Sequence, residues 1–101
     1  IGNEHGVYKR YFPDGKLEME GEYDSGYKTG KWLKKYRNGN IQYTGFYKSE
    51  KKIGSWVYFY PNQNPEIKET YTNDSKLIER ILYYPDGTIK CKQTGNSPCI
   101  L

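Results

Sequence analysis

The chain has 101 residues, with 16 Lys and Arg against 12 Asp and Glu, a net charge of +4, 11 Gly and no Ala. That length holds one domain, and so much Gly without the best helix former excludes a helical bundle. Its 12 Tyr, 3 Phe and 2 Trp are too many aromatics for a disordered chain; no window approaches the roughly 18 apolar residues of a membrane-spanning helix, and one His with two Cys disfavours a metalloenzyme or a His-based hydrolase.

Taken in chain order, the segments read as hairpins. Residues 7–12 form an aromatic and aliphatic run, Pro13-Asp14-Gly15-Lys16 a turn, and residues 17–23 a second run. Asp-Gly between two such runs is a strong hairpin signal, because Gly accepts positive φ without steric cost. Asn38-Gly39 and Asp86-Gly87 repeat it, whereas the third turn, Pro61-Asn62-Gln63-Asn64-Pro65, lacks Gly and is expected to form a wider loop. Residues 24–29, 48–53 and 72–77 read as polar turn stretches between hairpins.

The chain repeats every 24 residues. Gly6, Gly30 and Gly54 share one slot with Ile78; Tyr8, Trp32 and Trp56 share another with Arg80. Phe12, Tyr36, Tyr60 and Tyr84 keep an aromatic in every copy, and Asp14, Asn38, Asn62 and Asp86 a turn residue. A fixed period of this kind marks a repeat architecture, and an atypical last unit fits a capping repeat. The reading is an all-β, single elongated antiparallel meander of about four hairpins, an open twisted sheet. It forms one domain over 1–101, with repeats at about 6–29, 30–53, 54–77 and 78–95 and a tail at 96–101.

Pairing Phe12 with Leu17 places Arg10 opposite Met19 and Tyr8 opposite Gly21, and the same register sets Trp32 opposite Gly45, an aromatic ring covering a cross-strand Gly. A third loop wider by two residues pairs Tyr60 with Ile67 and Trp56 with Tyr71. Strand alternation then lays one continuous aromatic face: Tyr8, Arg10, Phe12, Trp32, Lys34, Tyr36, Trp56, Tyr58, Tyr60, Leu82 and Tyr84, joined by Leu17, Met19, Tyr23, Ile41, Tyr43, Tyr47, Ile67 and Tyr71. This stripe is either the core of a twisted sheet or a groove in which Tyr and Trp grip a partner.

Charge is uneven. Residues 1–27 carry −3, residues 28–52 carry +7, and residues 53–101 balance. A basic middle containing Lys31, Lys34, Lys35, Arg37, Lys51 and Lys52 suits an acidic protein or anionic lipid; a solvated surface and edge-strand protection account for it equally simply. No nucleic-acid motif accompanies it. His5 lies in the N-terminal stretch without a ligand neighbour. Glu18, Glu20 and Glu22 alternate on one strand as a solvated edge would. Cys91 and Cys99, eight positions apart, either form a disulfide stapling the tail to the last strand or stay free.

The string Gly-x-Trp-x-x-x-Tyr-x-Asn-Gly-x-Ile-x-x-x-Gly-x-Tyr, explicit from Gly30 to Tyr47, resembles the MORN repeat variant of bacterial YwqK-like antitoxin proteins. The match runs over about residues 6–95 and departs from the pattern at Gln63, Glu69, Ile78 and Arg80. The resemblance implies an elongated sheet of hairpins, no cofactor, no catalytic activity and a role as an antitoxin or immunity component paired with a toxin.

The functional expectation is a non-catalytic module that binds a toxin-like protein through Trp32, Tyr36, Tyr43, Trp56, Tyr58 and Tyr60, or through the basic middle. The alternatives are a peripheral module on anionic membranes and a cell-envelope scaffold, with edge-strand self-association open. The start at Ile1 rather than Met suggests a truncated N-terminus and an envelope or exported bacterial protein, a cytoplasmic one being the alternative.

Overall fold

The computed structural model describes residues 6–95 and 97–99; Ile1 and His5 lie outside them. Eight strands follow one another: β1 (Gly6–Tyr11), β2 (Leu17–Asp24), β3 (Tyr27–Lys35), β4 (Ile41–Lys48), β5 (Lys51–Phe59), β6 (Pro65–Tyr71), β7 (Leu77–Tyr83) and β8 (Ile89–Thr94). Each pairs antiparallel with its sequence neighbours, giving one open eight-stranded sheet in the order β1 to β8. The extents of 46 × 34 × 13 Å are those of a single layer.

The hairpin turns follow one local rule. The amides of Phe12, Tyr36, Tyr60 and Tyr84 donate to the carbonyls of Lys16, Asn40, Asn64 and Thr88. Side chains of Asp14, Asn38, Asn62 and Asp86 accept from the amide two residues on, at 2.9 to 3.0 Å. The third turn therefore has the same length as the others, which corrects the expected wider loop. Gln63 takes the left-handed slot that Gly15, Gly39 and Gly87 fill elsewhere, at φ 75°. The register follows: Trp56 faces Glu69 and Tyr58 faces Ile67, rather than Trp56 facing Tyr71.

The links between hairpins are tighter than the expected polar stretches, because β3 begins at Tyr27 and β5 at Lys51. Ser25-Gly26 and Ser49-Glu50 have positive φ at both central positions, the geometry of a type I′ turn. Glu50 is held there by two bonds: its amide donates to the Lys28 carbonyl and its carboxylate accepts from the Lys28 amide, both at 2.9 Å. Beyond each turn the ladder skips two residues, at Gly30 and Gly54, both at φ +67°. Only Gly enters that conformation cheaply. The fourth slot is Ile78, and there the irregularity moves into the connection. Thr72 to Lys76 form a three-residue loop with Ser75 at φ 67°, and β6 and β7 pair from Ile67↔Leu82 to Thr70↔Glu79 without a skip.

Bulges also reset one expectation about the faces. The register shifts between Arg10 and Tyr11, and between Lys34 and Lys35. Leu17 consequently pairs with Tyr11 and Ile41 with Lys35, which puts both opposite the aromatic face rather than on it. Strand β2 is internal, between β1 and β3, so its glutamates are not an edge: Glu18 is half-buried and bonds Arg10. The disulfide alternative holds at the C-terminus, where Cys91 and Cys99 are bonded with Cα atoms 5.8 Å apart.

Candidate functional site: an aromatic face overlaid by lysines

The indoles of Trp32 and Trp56 are buried, at 2% and 1% exposure, with Cys91 at 3%. A single sheet has no second layer to bury them, so their own neighbours do it. Tyr8 stacks on Trp32 at 5.7 Å, and Tyr23 and Tyr47 meet it edge-on at 5.4 and 6.1 Å. Tyr47 also meets Trp56 edge-on at 5.0 Å, while Tyr43 and Tyr58 lie at 6.1 and 6.3 Å. These edge-on and offset geometries suit the aromatic quadrupole. The expected Trp32↔Gly45 register is present, but the covered glycine is a different one. A Cβ on Gly21 would fall inside the ring of Trp32, and a Cβ on Gly45 inside that of Trp56. Each Trp thus covers the glycine of the preceding hairpin and locks two repeats together. The indole N–H groups are satisfied as well: Trp32 donates to the Glu22 and Thr29 carbonyls, and Trp56 to that of Phe46.

Lysines lie on top. Lys28 Nζ sits 5.2 Å from the Trp32 ring and 5.3 Å from that of Tyr47. One repeat later, Lys52 Nζ sits 4.8 Å from Trp56 and 5.9 Å from Tyr71, and donates to the Tyr58 hydroxyl at 2.7 Å. Both are cation–π positions. Sequence reasoning placed Lys52 in a basic patch and left Lys28 out. The available signal was Lys-x-Gly-x-Trp, present at 28–32 and again at 52–56.

The other expected site residues separate. Tyr36 and Tyr60 stand at the turn end, apart from the Trp pair, and their hydroxyls donate to the carbonyls of Phe59 and Tyr83 at 2.7 and 2.6 Å. They clasp one hairpin to the next, as do the amides of Asn40 and Asn64 on the Pro61 and Pro85 carbonyls. Lys34 shares the aromatic face, 3.9 Å from Glu18 and bonded to Gln42. Lys31 and Lys35 alternate onto the opposite face, where Lys31 joins Val7, Glu20, Glu22 and Leu33 around a shallow hollow of about 270 Å³. Arg37 lies over the Phe12 ring at 5.2 Å, and Lys51 is exposed at the β4–β5 turn opposite Lys48. The +7 segment therefore does not fold into one basic patch.

The Trp ladder stops at the fourth repeat. Glu69 replaces the glycine and Arg80 the Trp. The carboxylate is 6% exposed and takes Arg80 Nη2 at 2.8 Å and Nε at 2.9 Å, with the Tyr71 hydroxyl at 3.0 Å. Burial, reinforced by the Glu69 charge, pushes the Tyr58 phenol up to about 12. Burial also raises Tyr43, Tyr47 and Tyr71. Among the described residues no three His, Cys, Asp or Glu side chains gather as a metal site would require.

Fold and site together define a hairpin-repeat sheet with one aromatic face, its tryptophans internal and its tyrosines and lysines outward. Residues 4–25 and 28–49 each match the MORN repeat variant family. The structure carries the same hairpin geometry on through β5 to β8. No curated protein and no solved structure gives a significant match.

Proposed function

We propose that this chain is a non-catalytic repeat module that binds a partner protein through its aromatic face, and that the partner is a toxin it neutralises. The observation behind this is the half-exposed layer of Tyr23, Tyr43, Tyr47, Tyr58 and Tyr71, held over two buried tryptophans. Such rings offer large contact area with little rotamer entropy left to lose, and a hydroxyl on each for orientation. MORN repeats are widely binding modules, and the antitoxin role follows the resemblance of Gly30 to Tyr47 to YwqK-like proteins. The division of Lys31 and Lys35 from Lys34 and Lys52 across two faces weighs against a flat anionic membrane as the target.

The test has two parts. The chain is used as bait in lysate and culture fluid of its source cell, at low and high salt, and each protein retained is then co-expressed with it in a growth assay. A protein held at high salt, whose toxicity the chain relieves, supports the proposal. Recovery of lipid or of many acidic proteins at low salt only contradicts it.

A further inference from the structure

The cations of the aromatic face are engaged within the fold: Arg10 and Lys34 meet Glu18, Arg80 meets Glu69, and Lys28 and Lys52 rest on rings. The centre of the opposite face is different. Ladder pairing and alternation place four lysines there, with Lys31 opposite Phe46, Lys35 opposite Ile41 and Lys48 opposite Lys51. Among the described residues no carboxylate or ring pairs with any of the four. Towards the sheet's two edges the lysines of this face are occupied: Lys9 with Glu20 at 3.7 Å, Lys92 with Glu79 at 3.3 Å, and Lys68 over the Tyr83 ring at 5.6 Å. The cause is compositional, since β3, β4 and β5 contain no Asp or Glu. Glu50, in the turn between β4 and β5, accepts from the Lys28 amide. Glu20 and Glu22 line the hollow beside Lys31, outside ion-pair distance.

Between these lysines the face is apolar. Phe46 is 43% and Ile41 37% exposed, and Leu33, Val57 and Phe59 are half-buried in a sheet that lays no second layer over them. Contiguous exposed apolar side chains mark an interaction site, and unpaired charges of one sign around them call for the opposite sign in the partner. We infer that the centre of this face, over β3 to β5, is a second docking surface, and that it takes a protein segment in which carboxylates alternate with apolar side chains. The carboxylates meet Lys31, Lys35, Lys48 and Lys51, and the apolar side chains cover Phe46 and Ile41. Acidic groups bound the patch: Glu20 and Glu22 on β2 and Glu79 on β7 stand on the same face to either side. A flat anionic bilayer would press against them, whereas a narrow acidic segment fits between. The inference is independent of what the aromatic face binds, and both faces can be occupied at once.

Three short peptides test it by fluorescence anisotropy against the full chain: one alternating Glu and Leu, one with Gln in place of Glu, and one with Ser in place of Leu. The expected result is at least about tenfold tighter binding of the Glu-Leu peptide than of either other. That preference should shrink at high salt, vanish when Lys31→Gln and Lys35→Gln are combined, and survive in Lys76→Gln at the β6–β7 loop. Thermal melts of each variant separate lost binding from lost fold. Lysine-reactive labelling of the unmodified chain with the Glu-Leu peptide bound needs no variant: Lys31, Lys35, Lys48 and Lys51 should be protected and Lys28 and Lys52 should stay reactive. Equal affinity for the three peptides, no binding of any, or protection of Lys28 and Lys52 instead overturns the inference. Phosphatidylserine vesicles or single-stranded RNA bound as tightly as the Glu-Leu peptide also overturn it, by removing the preference for a protein segment.

Discussion

Glu69 and Arg80 form an ion pair on the slots where the two preceding repeats set a glycine beneath a tryptophan: Gly21 with Trp32, Gly45 with Trp56. All three pairs are eleven residues apart. The exchange is concerted, since an arginine over a glycine would leave a void and a lone buried glutamate an uncompensated charge. It also accompanies the loss of the Gly30-type bulge at Ile78, which lets Glu69 and Arg80 face each other directly in the ladder.

Arg80→Ala should therefore destabilise the chain by about 2 kcal/mol, below the usual figure for a buried pair because Arg80 is partly exposed. Replacing both partners, Glu69→Leu with Arg80→Met, should bring stability back to within about 1 kcal/mol of the parent. Denaturant melts of Arg80→Ala, of the singles Glu69→Leu and Arg80→Met, and of the double variant measure this. A double variant as weak as the sum of the singles would show that the pair is not a coupled unit.

Trp32→Ala should cost about 3 kcal/mol or more, the penalty for emptying a large buried site. Gly21→Ala acts on the same contact from the other side, its methyl group colliding with the indole, and should cost about 1–3 kcal/mol. Combined with Trp32→Leu, Gly21→Ala should cost less than it does alone. Additive losses would place the two residues in separate contacts.

Gln63→Gly should stabilise the third hairpin by about 1 kcal/mol, because a non-glycine residue pays roughly that for a left-handed conformation. The exposed bond from its side chain to Asn40 offsets only a few tenths of this. Urea titration decides it, and a lower midpoint for the glycine variant would mean that the Asn40 bond outweighs the backbone term.

Alkaline stability should depend on Tyr58. Its phenol titrates at about 12 in the folded chain against 10 ordinarily. Because the folded value is raised, folding gains from the protonated phenol. That gain is complete below pH 10 and disappears as pH rises towards about 12. Melting temperature should fall across this window, with part of the tyrosinate absorbance appearing only on unfolding, and Tyr58→Phe should flatten the fall. An unchanged slope in Tyr58→Phe would remove Tyr58 from the account.

Much of this was legible before any coordinates. The 24-residue period, the hairpins and the pairings Tyr8↔Gly21, Arg10↔Met19 and Trp32↔Gly45 follow from alternation and turn chemistry. What escaped was non-local or conformational. A one-residue bulge transfers Leu17 and Ile41 to the other face, and nothing in their own identity announces it. The missing glycine at Gln63 predicts a wider loop, yet the bonds that close the same turn in every repeat hold Gln63 in the left-handed conformation. Lys28 was invisible as a site residue because its meaning comes from Tyr47, a strand away on the sheet. The direction in which Trp32 leans, back onto Gly21, depends on the bulge at Gly30 and not on its pairing partner.

The central claim is that the aromatic face is the binding face, and lysine-reactive labelling of the captured complex, read by mass spectrometry, tests it most directly. Lys28, Lys34 and Lys52 lie on that face, and Lys9, Lys31, Lys68 and Lys92 on the other. The account predicts that partner binding shields the first group and leaves the second reactive. Shielding of the second group with the first still reactive would contradict it.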